Sequence, residues 1–232
     1  FSIITQTEKI FSAWNLQRSK GMKLYRININ HLDDPMQNKR LLGLVGTQRG
    51  EKVLRYRMPA DRKRSLGAGI IIKKILNENG LSERDLKYSE NGKPVADKLF
   101  FNVSHAGDYV VGVLSDCEVG CDIEKIVSAP LEIAEHYFNG TECEYIKSVE
   151  DKDRAFFTLW TLKESYMKMT GQGMSLSLDS FEILRTANEF TLGKSPEKQC
   201  FFKTIEFEDY IFSVSNEKDF AISEKDFFES EF

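Results

Sequence analysis

Two long helical patterns set among short strand-like runs are the feature that most constrains the fold of this chain. The first pattern begins at Pro59, repeats apolar residues at helical spacing and stops at Gly80. Proline is favoured at the first position of a helix and glycine just after the last, so both ends are marked. The second pattern covers residues 151–169 and stops at Gly171. Each helix needs an apolar surface to cover its buried face.

Short apolar runs bounded by turn residues predict the strands that would supply those surfaces. The three runs after residues 91–94 are predicted to form a meander, and Thr141-x-x-Glu144 is predicted to cap a helix. We expect shorter helices over residues 35–46, 81–86 and 130–138, and strands over residues 22–29, 99–104, 109–114, 118–126, 181–184, 189–192, 200–206 and 210–214. The fold class is therefore α+β, with two similar halves that each combine an antiparallel sheet with helices.

The composition excludes several classes of protein. With 29% charged residues among 232 and no long apolar run, the chain is not predicted to enter a membrane. Its formal net charge of −4 argues against a nucleic-acid-binding protein. Its four cysteines are too few for a disulfide framework in a chain of this size, so we expect reduced thiols and a cytoplasmic location.

The chain is predicted to divide into three parts. Met22 begins a clean strand pattern, and residues 1–21 lack the apolar segment and cleavage site of a secretion signal. We therefore expect residues 1–21 to be an upstream extension. Residues 22–116 are assigned to an N-terminal half and residues 117–232 to a C-terminal half.

Asp122 and Glu124 are the strongest candidates for a functional site. They lie in a predicted strand, where side chains alternate, so both carboxylates point to the same side. About forty residues later, Glu164 and Lys168 share a face of the second long helix. Three carboxylates near lysines suit a Mg²⁺ ion bound to a substrate that carries phosphate.

Each of these residues also has an ordinary structural explanation. Asp122 and Glu124 could lie on the solvated face of a strand. Lys163 and Lys168 could extend from the edge of a buried helix. An exposed pair of Glu164 with Lys168 would stabilise the helix by only ~0.3–0.5 kcal/mol. A site explains the set better, because charges within apolar sequence must be paired or hold a metal.

Ser104 and His105 form a second candidate group at the end of a predicted strand. Adjacent strand residues point to opposite faces, so this serine and histidine are poorly arranged as nucleophile and base. They suit phosphate contacts better, although a turn with a surface histidine is the ordinary alternative. The basic stretch of residues 49–64 is either a solvated face or a local phosphate site near a helix N-terminus.

Four motifs, taken in order, resemble those of the 4′-phosphopantetheinyl transferases. The larger, monomeric type that activates surfactin synthetase is the best match. The motifs are GKP at residues 92–94, FNVSH at 101–105, GCDIE at 120–124 and WTLKESYMK at 160–168. The resemblance extends from Met22 to about Val214 and implies two pseudo-symmetric α+β halves with the active site in the cleft between them.

The resemblance also implies a reaction. The enzyme would transfer the 4′-phosphopantetheine arm of coenzyme A to a serine of an apo carrier protein, either an acyl or a peptidyl carrier. The reaction would depend on Mg²⁺ and release adenosine 3′,5′-bisphosphate. The partner would be an acidic carrier protein, and the enzyme a monomer that binds neither nucleic acid nor a membrane.

Residue roles follow from the match to the motifs. Asp122, Glu124 and Glu164 would bind Mg²⁺. Glu164, Lys168 and His105 would be the catalytic residues, with Glu164 accepting the proton of the carrier serine directly or through water. The residues implied to contact coenzyme A are Arg49, Lys52, Arg64, Ser65, Lys93, Pro94, Ser104, His105, Lys163 and Lys168.

The sequence departs from the family pattern at three positions, and other functions stay open. Asn91 stands where an aromatic residue often precedes GKP, Cys121 replaces an aliphatic residue, and Arg49 replaces a lysine. None of these changes removes an expected metal ligand. The alternatives are the small trimeric holo-acyl-carrier-protein synthase type, a Mg²⁺-dependent phosphoesterase, and a non-enzymatic nucleic-acid-binding protein that uses residues 49–64.

Overall fold

The computed structural model describes residues 21–187, 189–195 and 200–229, so nearly all of the expected extension lies outside the described residues. The helices in this part are α1 (Thr47–Arg55), α2 (Pro59–Glu78), α3 (Leu131–Tyr137), α4 (Gly140–Ser148) and α5 (Lys152–Thr170). The strands are β1 (Lys23–Asn28), β2 (Lys87–Tyr88), β3 (Pro94–Val95), β4 (Phe100–Ala106), β5 (Tyr109–Ser115), β6 (Val119–Lys125), β7 (Ile183–Arg185), β8 (Phe190–Leu192), β9 (Phe201–Phe207), β10 (Tyr210–Asn216) and β11 (Phe227–Glu229). Among the described helices, none is both long and apolar enough to cross a membrane.

The two long helices begin and end where the sequence predicts. Pro59 is the first residue of α2, and Gly80, just beyond its end, has a φ of +72°. The Asp151 carboxylate caps α5 by accepting a hydrogen bond from the Arg154 amide, and α5 ends at Gly171, with a φ of +76°. Left-handed backbone costs glycine little, so both helices can stop sharply at these positions.

The strands form two main sheets. The first has the order β11–β1–β5–β4, the second has the order β6–β10–β9–β8–β7, and β2 pairs with β3 in a separate hairpin. Pairing is antiparallel except between β1 and β11, which run parallel. The predicted α+β class is confirmed. The predicted meander is wrong in its third strand, because β6 packs its apolar face against the first sheet and pairs with β10 instead of β5.

Alternation along the strands arranges the molecule in four layers. Val110 of β5 packs toward α2, whereas its neighbour Val111 packs toward the second sheet. In the second sheet, Phe212 faces the first sheet and Ile211 faces α5. The layers are therefore α2, the first sheet, the second sheet and α5, with one apolar cluster at each of the three junctions.

Local structure differs from expectation at two helices. The sequence pattern indicates no helix over residues 47–55, because α1 buries only Gly50 and Val53 and is otherwise polar. The α4 helix is capped by Asn139 with Glu142, not by Thr141 with Glu144, because it begins earlier than predicted. The division of the chain after residue 116 stays a prediction, and β11 returns from the C-terminal half to pair with β1.

Candidate active site

Gly120 allows β6 to lie directly against α5. A Cβ atom at this position would lie 2.0 Å from the Ser165 carbonyl oxygen and 2.4 Å from the Met169 amide nitrogen. Hydroxyl pairs continue the contact, with Ser165 Oγ 2.6 Å from Ser215 Oγ on β10. Side chains alternate along β6, so Asp122 and Glu124 share the face of Gly120 that looks toward α5. This packing thus places Asp122 and Glu124 on one face of β6, as the sequence predicts.

Asp122, Ser104 and Lys168 form a hydrogen-bonded network where β4, β6 and α5 meet. Asp122 Oδ1 accepts a hydrogen bond of 2.7 Å from Ser104 Oγ and one of 2.5 Å from Lys168 Nζ. Lys168 Nζ also lies 3.0 Å from Ser104 Oγ. Asp122 is only 3% exposed, whereas the Lys168 side chain is 29% exposed, so the network opens to solvent on the lysine side.

The environment of this region disfavours the ionised forms of two of its carboxyl groups. Burial and the charge of Asp122 raise the pKa of Glu124 to about 7. Burial and the same charge also raise the pKa of Glu164. For Lys168, burial acts to lower the pKa, but the charge and hydrogen bond of Asp122 outweigh it and raise the pKa overall. A further positive charge at this position would favour the ionised carboxylates.

One oxygen of the network has no partner. Asp122 Oδ2 is buried and accepts no hydrogen bond, which is costly for a carboxylate unless a ligand supplies the missing contact. Within the described ranges, however, no group of three or more histidine, cysteine, aspartate or glutamate side chains is arranged to hold a metal ion by itself. Asp122, Glu124 and Glu164 thus interact electrostatically without forming a complete metal site, and their predicted role as ligands stays a prediction.

A cavity of about 400 Å³ lies beside this network, and residues of both halves line it. Glu164 and Lys168 face it from α5, and Asn91, Lys93 and Pro94 face it from the β2–β3 turn. This turn also contacts the end of α5, because Lys93 Nζ donates to the Lys168 carbonyl oxygen at 2.7 Å and Asn91 Nδ2 donates to the Gly171 carbonyl oxygen at 3.0 Å. Residues from before and after position 116 therefore line this cavity, which we call the cleft. Its place between two halves of the molecule stays a prediction.

His105 and Arg64 lie on the other side of β4. The His105 side chain is open to solvent on one side, yet burial by the surrounding protein lowers its pKa, and the charges of Arg64 and Lys168 act in the same direction. Arg64 is held by the Gly107 carbonyl oxygen at 2.7 Å and by Asp61 at 2.6 Å. Ser104 and His105 thus face different ways, as predicted, and both interact with Lys168.

Comparison with known proteins identifies the kind of molecule that has this cleft. A family model described as the 4′-phosphopantetheinyl transferase superfamily matches residues 118–223, and one described as 4′-phosphopantetheinyl transferase, N-terminal, matches residues 34–117. The chain is 32% identical over 195 residues to the 4′-phosphopantetheinyl transferase ffp of Bacillus subtilis, which covers 80% of this chain and 87% of that one. It is 35% identical over 171 residues to the 4′-phosphopantetheinyl transferase psf-1 of Bacillus pumilus, with 69% and 73% covered.

The chain belongs to the 4′-phosphopantetheinyl transferase family. It is an enzyme that transfers the 4′-phosphopantetheine group to carrier proteins. A solved holo-[acyl-carrier-protein] synthase from Neisseria meningitidis is more distant, with 16% identity and a TM-score of 0.39 over 44% of this chain and 98% of that one. The rival expectations of a phosphoesterase or a nucleic-acid-binding protein gain no support from these comparisons.

A second group of predicted site residues of the transferase lies on the N-terminal half. Arg49 and Lys52 line a depression of about 480 Å³ together with Tyr88, and Arg49 Nη2 lies 3.3 Å from the Tyr88 hydroxyl. Burial lowers the pKa of Lys52, and the charge of Arg49 adds to this effect. Ser65 Oγ is buried without a hydrogen-bond partner. In the described part of the chain, no hydrogen bond joins these residues to the Asp122 network.

Lys163 does not reach the cleft of the transferase, which corrects its expected contact with coenzyme A. Its side chain is fully buried, and its Nζ atom bonds Glu142 and the Leu178 carbonyl oxygen, both at 2.8 Å. Lys163 is adjacent to Glu164 in sequence, but consecutive helical residues point about 100° apart. The helix therefore directs Glu164 to the cleft and Lys163 to the protein interior.

Two residues that help to build the site were not singled out by the sequence. Asn102 Oδ1 accepts a hydrogen bond of 3.0 Å from the Cys121 amide and so joins β4 to β6 beside the Asp122 network. Glu142 is the buried partner of Lys163. The signal for Asn102 was its place in the FNVSH motif, two residues before Ser104 and on the same face of the strand. Glu142 carried no signal beyond its position near a helix start.

Proposed function

We propose that coenzyme A is the donor and that the hydroxyl of a serine on an apo carrier protein is the acceptor. The proposal rests on membership of the family and on one observation, the network in which Lys168, Ser104 and Asp122 meet at the cleft. The chain would hold the diphosphate of coenzyme A there, with the pantetheine arm directed toward the incoming carrier.

The bond changes of this reaction balance without an oxidant or reductant. The serine oxygen attacks the phosphorus that carries the pantetheine arm, and the bond from that phosphorus to the bridging diphosphate oxygen breaks. Adenosine 3′,5′-bisphosphate leaves with the bonding electron pair, and the serine proton passes to a base. Such a transfer needs little covalent help from the protein, so positioning and charge neutralisation dominate.

Lys168 and Glu164 are assigned the two main tasks of the chain. Lys168 keeps its positive charge, because its pKa is raised, and it would contact the diphosphate from the exposed side of the network. Glu164 lines the cavity, and its raised pKa brings it closer to neutral pH, where a carboxylate is a better proton acceptor. Glu164 would accept the serine proton either directly or through one water molecule.

Mg²⁺ fits the donor set of the cleft. Asp122, Glu124 and Glu164 would hold the ion, since Asp122 Oδ2 lacks a partner and the other two carboxyl groups have raised pKa values. Mg²⁺ favours oxygen ligands and usually completes its octahedron with water and substrate phosphate oxygens, which three carboxylates alone do not supply. When bound, it would neutralise charge on the diphosphate during the transfer.

The remaining assigned residues would bind the other parts of coenzyme A. Ser104 and His105 would contact its phosphates, and Lys93 with Pro94 would line the adenine end, next to the cavity. Arg49, Lys52, Arg64 and Ser65 would form further phosphate and nucleotide contacts; a buried hydroxyl without a partner at Ser65 is consistent with this role.

The partner and location are also proposals. We propose a monomer in the cytoplasm that modifies an acidic carrier protein and binds neither nucleic acid nor a membrane. The length supports the monomer, because motifs on both halves occur in one chain. The four cysteines are all free thiols, which is consistent with a reducing compartment.

The proposed function is tested by incubating the full chain with coenzyme A, Mg²⁺ and a panel of apo acyl and peptidyl carriers. We expect the mass of at least one carrier to increase by one phosphopantetheine group, and chelation with EDTA to abolish the change. Added Mg²⁺ should restore it. No mass change on any carrier would contradict the donor and acceptor, whereas unchanged turnover in EDTA would contradict only the metal assignment.

A further inference from the structure

A second lysine–carboxylate pair lies behind the cleft, on another face of α5. Lys163 Nζ is 2.8 Å from Glu142 Oε1, and both side chains are 0% exposed. Removing two charges from water is expensive, and a buried pair often stabilises a protein no more than apolar residues would. Stability alone is therefore a weak explanation for this pair, and its geometry indicates another.

Every hydrogen of the Lys163 ammonium group has an acceptor. Besides Glu142, Nζ donates to the carbonyl oxygens of Leu178 at 2.8 Å and Phe181 at 3.0 Å. The Phe181 ring lies 4.3 Å from Nζ and adds a cation–π contact. A lysine ammonium has three donors, so this one is saturated and has a single direction in which all three bonds can form.

Glu142 is equally constrained. Its Oε1 atom accepts a hydrogen bond of 2.7 Å from the Ile183 amide, and its Oε2 atom accepts one of 2.8 Å from the Asn139 amide. Asn139 Nδ2 donates to the Phe181 carbonyl oxygen at 2.6 Å, which closes the network. The start of α4, the segment 178–183 and α5 are thus fixed to one another around the Lys163 ammonium group.

We propose that the Lys163–Glu142 network sets the rotation of α5 about its own axis and so directs Glu164 and Lys168 into the cleft. The inference rests on the proposed function, because the roles of Glu164 and Lys168 are assigned there. Successive helical residues differ by about 100°, so fixing the direction of Lys163 fixes that of Glu164. On the sheet side, the close approach at Gly120 limits the distance of α5, and each polar side chain of α5 that contacts a strand there does so through one or two hydrogen bonds. Lys163 instead makes three hydrogen bonds to two other elements, so it restrains rotation from the opposite face of the helix. Lys163 is therefore a positioning residue.

The test compares Lys163→Met with the double variant Lys163→Met/Glu142→Gln. The single variant leaves a buried carboxylate without its cation and is expected to lose stability. The double variant has no uncompensated charge, so it should recover much of that stability. If the network positions α5, the folded double variant still has kcat lowered by about tenfold to a hundredfold, because small displacements of reacting groups are costly.

Binding separates positioning from a general structural defect. The KM for coenzyme A should stay close to the wild-type value in the double variant, because most of the assigned nucleotide contacts lie outside α5. Lys147→Met is the matched control: Lys147 pairs with Glu135 at 3.6 Å, but these side chains are 65% and 57% exposed, so kcat should not change.

Each outcome has a defined meaning. A folded double variant with wild-type kcat overturns the inference while the proposed function stands, because the wild-type chain remains active. A double variant that folds under no condition would show a role in folding only and also overturns it. A wild-type chain that modifies no carrier removes the proposed function, and with it the inference. Lowered kcat with restored stability and unchanged KM supports positioning.

Discussion

On one face of α5, Lys168 bonds Asp122 at the partly exposed edge of the cleft, and on another face Lys163 bonds Glu142 in the interior. Both pairs consist of a lysine on the same helix and a carboxylate from a neighbouring element. They differ in what surrounds them. The Lys163 side chain is 0% exposed with all its donors bonded, whereas the Lys168 side chain is 29% exposed and its partner Asp122 has a buried oxygen without a hydrogen bond.

The difference shows how the same two residue types can serve opposite purposes. A saturated pair with no access to solvent can only hold elements together. A pair with solvent on one side and an unmatched oxygen on the other can still bind something. Burial and the charge of Asp122 raise the pKa values of Glu124 and Glu164, so a positively charged ligand at this position would favour their ionised forms.

The largest expected effect lies at the interior pair. Lys163→Met should lower the free energy of unfolding by about 3–5 kcal/mol, because it leaves Glu142 buried without its cation. Urea unfolding measures this change. In Lys147→Met, the loss of an exposed pair should cost less than about 1 kcal/mol. Equal losses in the two variants would show that the interior network is not special.

Substitution of a carboxylate in the cleft should lower activity without lowering stability. Glu164→Gln should lower kcat/KM for carrier modification by about 10²-fold, on the scale of losing one main electrostatic group of an active site. Its free energy of unfolding should stay the same or rise, because burial and the charge of Asp122 disfavour the ionised form of Glu164 in the folded chain. Glu144→Gln, an exposed position on α4, is the control and should change neither quantity. A stable Glu164→Gln variant with near-native rates would end the role assigned to Glu164.

The close packing of β6 against α5 can be tested at Gly120. Gly120→Ala places a methyl group 2.0 Å from the Ser165 carbonyl oxygen, so α5 must move away from β6. Overpacking of this kind typically costs about 1–3 kcal/mol, and we expect both stability and kcat to fall. Gly140→Ala, where a methyl group meets nothing within 4 Å, should be tolerated. If both alanine variants behave alike, the close approach of β6 and α5 does not matter.

A third ion pair, distant in sequence from α5, should show the smallest effect. Hydrogen bonds from Arg62 lower the pKa of Asp34 to about 2. The unfolded value is about 3.9, so this carboxylate stabilises the fold above about pH 4, and the contribution is lost as the pH falls toward 2. Asp34→Asn should flatten this part of the dependence of stability on pH, measured by circular dichroism. An unchanged acid transition would contradict the shift.

The cleft side of α5 could be predicted from sequence more completely than the interior side. Alternation along a strand is enough to place Asp122 and Glu124 on one face, and helical spacing is enough to place Glu164 and Lys168 on one face of α5. The direction of Lys163 requires knowing which face of α5 is covered, and that face is defined by Glu142 and Phe181, which come from other parts of the chain. A lysine in a motif therefore looked like a ligand-binding residue.

Two elements of the fold, α1 and β11, could likewise not be predicted from local sequence. The α1 helix escaped prediction because it buries only Gly50 and Val53, so local pattern carries little information about it. The pairing of β11 with β1 joins residues about two hundred positions apart, and a three-residue strand has no pattern that selects its partner. By contrast, α2 was predicted closely because Pro59 and Gly80 mark its ends and an apolar stripe fills its length.

The most direct test of a division of labour on α5 measures Glu164→Gln and Lys163→Met side by side for carrier modification and for unfolding in urea. We predict that Glu164→Gln loses most of its activity and keeps its stability. Lys163→Met should lose activity together with stability, and more stability than Glu164→Gln, Gly120→Ala or Lys147→Met. If both variants lose activity in proportion to their loss of stability, the distinction fails between the cleft face of α5, which takes part in the reaction, and its interior face, which stabilises and orients the helix.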